Sequence, residues 1–325
     1  MKIKQLIYGV ATFVPGITQF KSKGTDGTDS ERDCYSDSGR YCYSVWLRHL
    51  VMAKKNGLNP YPKIIAELGP GDSLGVGLAA LISGCDKYFA FDVVEHLKTE
   101  KNIQIFDELV SLFRNRVAIP GDNEFPRLKP YLEEYSFPGD ILDESRLHDV
   151  LDESRIKKIR DAIIRPKINS LIQYKVPWYD YSILEKECLD MVYSQAVLEH
   201  VDDLRNTYKS MQLWLKPTGF ISHQIDFKCH GTAAEWNGHW CYSDFIWKLI
   251  RGKRPYFLNR EPHSTHLAIL KEQGFKILCD KRINAESIFT LDDLSPRFRS
   301  ISEDDLTTSG AFIQAIKNTA FRPAV

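Results

Sequence analysis

The chain has 325 residues, with 43 basic and 43 acidic side chains and 43% hydrophobic residues. That length can bury a full α/β core with additions, and the zero net charge argues against a general affinity for polyanions, so no nucleic-acid partner is expected. The seven cysteines, at 34, 42, 85, 188, 229, 241 and 279, are odd in number and form no C-x-x-C pair. Reduced, mostly buried thiols in a cytoplasmic protein are the expectation, rather than a disulfide or zinc framework.

Residues 3–20 are apolar but interrupted by Gly9, Pro15 and Gly16, and they lack a small-residue cleavage site. Neither a signal peptide nor a membrane span is expected. A packing helix is the plain reading; a surface anchor or a flap is the sharper one, which leaves peripheral membrane contact through this stretch open. Residues 21–40 are polar and rich in Gly, Ser and Asp, as in a loop. Residues 41–55 carry an amphipathic helical pattern. Residues 1–62 are therefore expected to form a helical extension ahead of a main domain at 63–325.

The main domain is organised around residues 63–96. The apolar run Ile64-Ile65-Ala66 ends in Glu67, the turn Gly69-Pro70-Gly71-Asp72-Ser73 follows, then a small-residue helix from Leu74 to about Ile82, then the run from Tyr88 to Phe91 ending in Asp92. This is a strand, a glycine turn, a helix and a strand with an acid at its carboxyl end, the first half of a nucleotide-binding βαβ unit. Gly69 and Gly71 let a ligand approach the backbone, and the helix start behind them offers free N–H groups. A carboxylate at Asp92 can accept from both hydroxyls of a ribose, which points to an adenosine derivative. A dinucleotide fingerprint would need a third glycine at 74, which is Leu74, and no Lys-Ser/Thr pair marks a P-loop. Glu67 would repel a pyrophosphate but can receive an ammonium group. Glu67-x-Gly69-x-Gly71 followed by Asp92 resembles the cofactor turn of class I S-adenosylmethionine-dependent methyltransferases.

A second stretch carries the same resemblance. Residues 189–201 read LDMVYSQAVLEHV, similar to the family's strand of an acid and hydrophobics leading into a loop and "LEHV". The next helix ends in Leu215-Lys216-Pro217-Thr218-Gly219 before the strand Phe220-Ile221-Ser222, a form of "LKPGG" in which Thr218 replaces a glycine. The resemblance covers about residues 63–226. It implies an α/β fold: a seven-stranded, mostly parallel Rossmann-like sheet of order 3-2-1-4-5-7-6, helices on both faces, and a closing antiparallel pair from Phe275 to Cys279 and Ala311 to Ile316. It implies S-adenosyl-L-methionine as cofactor, held by Glu67, Gly69, Pro70, Gly71, Asp92, Val93, Asp180, Ser194 and Gln195. Asp180 would accept from the adenine amine, with Trp178 or Tyr179 beside the ring. Tyr41, Tyr43 and Arg48 precede the first strand, where the family often caps its pocket; ligand contact and packing on the sheet are both open for them.

The third strand, expected at Ser170 to Val176, comes late, so a helical insertion is expected at about 97–167. It holds two short apolar helices within Ile103 to Phe113, a loop marked by Pro120, Pro126 and Pro130, and a charged helical stretch in which LDESR occurs at 142–146 and again at 151–155. Its expected place is over the substrate site, with a decorative helical pair as the alternative. Further on, Ser264 is expected to cap a helix.

Methyl transfer is an in-line displacement for which the cofactor supplies the electrophile; the protein aligns the acceptor and removes its proton. Candidate bases after the fourth and fifth strands are His223, Asp226 and His200, with His200 also open to a structural role. His223, Asp226, His230 and His239 lie close in sequence, but metal sites that hold a diol are oxygen-rich, so no metal is expected. The region containing Trp236, His239, Trp240, Tyr242, Trp247, Asn259 and Arg260 suits a sugar ring or an aromatic metabolite. The long insertion and the NREPHS stretch resemble methyltransferases encoded among polysaccharide-assembly enzymes. The expected activity is O-methylation of a sugar, a glycan or another small molecule. The alternatives are a natural-product methyltransferase acting on oxygen, nitrogen or carbon, and a non-catalytic S-adenosylmethionine-binding scaffold. The oligomeric state is not legible.

Overall fold

The computed structural model describes residues 3–13, 38–95, 98–165, 171–178 and 181–318. Among the described residues, seven strands form one sheet: β1 Ile64–Leu68, β2 Lys87–Phe91, β3 Ile172–Lys175, β4 Leu189–Gln195, β5 Leu215–Asp226, β6 Phe275–Asn284 and β7 Thr308–Lys317. Their order is β3-β2-β1-β4-β5-β7-β6, the order the resemblance implies. β1 to β5 pair in parallel, whereas β7 runs antiparallel to both β5 and β6. The helices are α1 Ile3–Ala11, α2 Gly39–Lys55, α3 Gly75–Ile82, α4 Thr99–Arg114, α5 Glu144–Val150, α6 Glu153–Ile164, α7 Leu204–Trp214, α8 Asp244–Arg251, α9 His263–Glu272 and α10 Glu303–Thr307.

The central strands are buried on both faces, which is why they read as continuous apolar runs. Side chains alternate between two cores. Ile65, Tyr88, Ala90, Met191 and Tyr193 face α2 to α6; Ala66, Phe89, Phe91 and Val192 face α7 and α9. The small residues of α3 follow from this packing. A Cβ on Gly75 would lie 2.3 Å from Cys42 Sγ on α2, and one on Gly77 would lie 2.0 Å from the Tyr88 ring. None of the six described cysteines forms a disulfide with another. Among the described residues no helix is long and apolar enough to cross a membrane.

The insertion splits into two parts. Its first part is one helix, α4, not two. Ile105, Phe106, Leu109, Val110 and Phe113 are buried as a single stripe, and no breaker interrupts it. The proline-marked loop after it is tied to α2 by Arg48, which is fully buried. The LDESR echo is a pair of helix starts: Asp143 accepts from the N–H of Arg146 to open α5, and Asp152 from those of Ser154 and Arg155 to open α6. Arg155 donates to the carbonyls of Leu81 and Cys85, and Arg146 to that of Ser83. These two helices thus brace the carboxyl end of α3, at the edge of the sheet away from the glycine turn.

Smaller departures from the sequence reading have local causes. α7 stops at Trp214, and β5 begins at once; its register against β4 shifts between Leu215 and Phe220. Pro262, not Ser264, is the N-cap of α9, and the Ser264 N–H donates to Asp305 at 2.9 Å, so a carboxylate from α10 does the capping. In α1, Gly9 packs on the backbone of α8, while Ile3, Ile7 and Val10 are exposed; the rest of the apolar stretch, 14–20, lies outside the described residues.

Candidate active site

The carboxyl ends of β1, β2 and β4 meet at the glycine turn. Gly69 has φ +62° and Gly71 φ +68°, the left-handed region that glycine enters without a Cβ penalty. A Cβ on Gly69 would lie 2.7 Å from Val197, so the turn is in contact with the loop after β4. At Gly71 a Cβ would meet nothing within 4 Å, and this backbone is open to a ligand. Asp92 ends β2 beside it. One carboxylate oxygen accepts from the Gly71 N–H at 3.4 Å; the other accepts from Val93 at 2.7 Å and Val94 at 3.4 Å. Pro70 and Val93 flank this pair, half-buried. Trp178 donates its backbone N–H to the Asp92 carbonyl at 3.3 Å, and its ring packs on Phe91 at 5.8 Å. Tyr179 and Asp180 lie outside the described residues.

Glu67 is in the turn's foundation. Strand alternation puts it on the α3 side, 4% exposed. The Tyr88 hydroxyl donates to it, and Tyr193 and the Gly77 backbone N–H face the same carboxyl; burial outweighs these contacts and pushes it up to about 7. The carboxyl expected to receive a ligand's ammonium group is therefore held by protein donors beneath the turn. Gln195, at the end of β4, reaches the Lys129 carbonyl at 3.5 Å, and Asn102 of α4 accepts from the Leu74 N–H at 2.8 Å, so the proline loop and the start of α4 come to the ligand edge of the sheet while α5 and α6 brace its other end.

Arg48 and Tyr43, open to ligand contact on sequence, serve this loop instead. Arg48 donates to the carbonyls of Leu128 at 3.0 Å, Pro130 at 2.7 Å and Pro120 at 3.1 Å, and the Tyr43 hydroxyl donates to that of Val117 at 2.7 Å. Tyr41 meets Phe125 edge-on at 5.6 Å between centroids.

The three candidate bases do not come together. His223 sits inside β5, 1% exposed. Its Nδ1 pairs with Ser194 Oγ at 2.8 Å, which engages Ser194 as well. Burial, with His49 and His266 nearby, lowers His223 to about 3, so it is neutral. Asp226, at the end of β5, and His200, after β4, lie instead around a second cleft. That cleft is lined by Glu199, Asp226, Lys228, His239, Asn259 and Arg260, among others. Burial would raise Asp226, but His230 and Lys228 hold it below the ordinary carboxylate range. Glu199 is pushed up to about 8 by burial, with His230 opposing and Asp226 adding to the shift.

Asn259 and Arg260 build the cleft. The Asn259 amide donates to the carbonyls of Leu198 at 2.8 Å and Val201 at 2.9 Å, and its backbone N–H to that of Glu199 at 2.8 Å, which clamps the LEHV turn. Arg260 is 3% exposed; its guanidinium bonds Asp244 and the carbonyls of His239 and Tyr242 and lies over Trp247 at 4.7 Å. Sequence reasoning assigned these two to a sugar or an aromatic metabolite and missed Glu199, whose neighbours come from loops far apart in the chain.

No protein-family model matches the sequence, and no curated protein does. Solved structures of similar architecture exist at low identity. An S-adenosylmethionine-dependent methyltransferase from Methanosarcina mazei is 14% identical over 82% of this chain and 96% of its own, with a TM-score of 0.41. Phosphoethanolamine N-methyltransferase 2 of Haemonchus contortus, solved with S-adenosyl-L-methionine, is 14% identical over 89% of this chain and 59% of its own, with a TM-score of 0.41. The trans-methyltransferase CalH, solved with S-adenosylhomocysteine, is 14% identical over 86% of this chain and 57% of its own, with a TM-score of 0.39. These likenesses are distant, and the functional reading rests on the chain's own residues.

Proposed function

We propose that the protein is an S-adenosylmethionine-dependent methyltransferase acting on a small-molecule acceptor, with a sugar or glycan hydroxyl as the first class to test. The observation that carries the reading is Asp92 beside the open backbone of Gly71, at the carboxyl ends of adjacent strands. Such a carboxylate suits a ribose diol, and open sheets of this kind bind ligands at that edge. The missing third glycine and the absence of a lysine in the turn favour a nucleoside without a pyrophosphate.

The cofactor brings the activated methyl group; the chain orients both partners and takes up the acceptor proton. Asp226 is our candidate for that proton, because it is ionised and lines the second cleft. His200 orients the cleft from the LEHV turn, and the buried His223 supports β4 through Ser194. A sugar or glycan hydroxyl is put first on the sequence pattern alone, because the Arg260 guanidinium and the rings around it are engaged within the protein.

The test is transfer of a labelled methyl group from S-adenosylmethionine to a panel of sugars, glycans and aromatic metabolites, with Asp226→Asn as comparison. Transfer to a hydroxyl sugar that falls at least ~100-fold in the variant, at unchanged cofactor affinity, supports the reading. Transfer only to an amine or a carbon acceptor would replace it with the natural-product alternative. Cofactor binding with no transfer to any acceptor would favour a non-catalytic scaffold.

A further inference from the structure

We propose that Glu199, His200 and His230 bind a divalent metal ion of the zinc type, with Asp226 beside it, at the wall of the acceptor cleft. One ligand atom from each of the three lies within 4.8 Å of the others. Two residues come from the turn after β4 and one from the loop after β5, so the folded sheet alone assembles them. Zinc bonds of about 2.0–2.2 Å separate tetrahedral donors by ~3.4 Å, so the side chains draw in by at most about 1.4 Å on binding.

Three features point to a cation. Glu199 is 3% exposed, and among the described residues neither carboxylate oxygen has a hydrogen-bond partner of ordinary geometry, although the backbone N–H groups of Glu199 and Asp226 face it. A buried carboxylate in that state is costly unless a cation or a proton neutralises it. The backbone around it is fixed, since Asn259 holds Leu198, Glu199 and Val201. His200 Nδ1 lies 3.0 Å from the Tyr256 carbonyl. A carbonyl only accepts, so Nδ1 carries the proton and Nε2 the lone pair, the arrangement that metal-bound imidazoles use. Finally, Asp226 lies 3.6 Å from His230 Nε2, close enough to orient that ring or to serve as a further ligand.

Two imidazoles and a carboxylate suit zinc, cobalt or another borderline ion, whereas magnesium and calcium select oxygen. Three protein ligands leave a coordination position open toward the cleft, where a Lewis acid would polarise an acceptor oxygen. That role rests on the methyl-transfer reading; metal binding itself does not.

The experiment is a Co²⁺ titration of chelator-treated protein, followed by displacement with Zn²⁺. Wild type, Glu199→Gln and His230→Asn are compared, with S-adenosylmethionine calorimetry and thermal midpoints in EDTA run in parallel. The expected result is one equivalent of Co²⁺ with visible ligand-field absorption, displaced by Zn²⁺, and at least ~10-fold weaker binding in each variant. Unchanged midpoints in EDTA show that both variants are folded. Absence of a stoichiometric Co²⁺ spectrum in wild type overturns the proposal, and so does binding that persists in both variants, as capture by the exposed His148 would give. Metal binding without cofactor binding would keep the metal site and remove the methyl-transfer reading.

Discussion

Replacing Arg48 by methionine tests how the insertion is attached to the domain. Methionine keeps much of the aliphatic stem, so the cavity left is small and the loss is mainly polar. The carbonyls of Leu128, Pro130 and Pro120 lose a charged donor now at 3.0, 2.7 and 3.1 Å, and the Ser44 hydroxyl, which still donates to the Pro120 carbonyl at 2.8 Å, loses the guanidinium donor at 3.1 Å. Hydrogen bonds to charged groups contribute about 1.5–3 kcal/mol each, and they are not additive. Removing one member of a buried charged network costs about 3–5 kcal/mol, and we take that as the expected destabilisation. At about 2.1 cal/mol/K of unfolding entropy per residue, 325 residues give ~0.7 kcal/mol/K, and the midpoint falls by about 4–7 °C if the chain unfolds as one unit. Calorimetry measures the midpoint, and limited proteolysis tests whether 120–131 becomes the first cleavage site. A midpoint within ~1 °C of wild type with an equally resistant loop would refute the reasoning, because the guanidinium would then hold nothing together.

Two glycine substitutions and one pH profile extend the test. Gly69→Ala adds a methyl 2.7 Å from Val197 at φ +62°, so it lowers stability by about 2–3 kcal/mol in urea titrations and cofactor affinity with it. Gly71→Ala meets only open space, so it costs the left-handed strain alone, about 1 kcal/mol. It should still weaken S-adenosylmethionine binding at least ~10-fold, because the methyl fills the approach; full affinity in calorimetry would mean that the ligand binds elsewhere. Glu67, pushed up to about 7, is protonated in the folded state at pH values where the unfolded chain, with a pKa near ~4.3, has ionised. Its stabilisation is fully present below the unfolded pKa and is lost as pH rises toward 7, at a slope of about 1.4 kcal/mol per pH unit. Urea unfolding from pH 5 to 8 should show a flatter profile for Glu67→Gln than for wild type, and parallel profiles would contradict the buried, protonated carboxyl.

The sheet was legible because its strands are buried on both faces and punctuated by acids and glycines. Glu67, Asp92 and Asp190 each mark a strand in the sequence, and the strand order follows from the resemblance they support. What could not be read depends on contacts between distant segments. Nothing local to Arg48 tells that its guanidinium is swallowed by carbonyls of a loop more than seventy residues away. His223 alternates correctly for a strand but falls at a position where both faces are covered, so a titratable side chain ends as a core group. Asn259 and Arg260 have the chemistry of sugar ligands, yet most of their donors are consumed in clamping the LEHV turn and the aromatic wall. Glu199 was hidden in the LEHV motif, read only for its family resemblance, and the burial of its carboxyl appears only once the loops after β4 and β5 meet.

The central claim is that the Gly69-to-Gly71 turn and Asp92 form a cofactor site. Calorimetric titration with S-adenosylmethionine and S-adenosylhomocysteine tests it most directly, on wild type and on Asp92→Asn, which keeps the side chain's shape. The account predicts binding of both ligands by wild type, and at least ~10-fold weaker binding, or ~1.4 kcal/mol, by the variant at an unchanged thermal midpoint. A folded wild-type protein that binds neither ligand, or a variant that binds both as tightly as wild type, would contradict it.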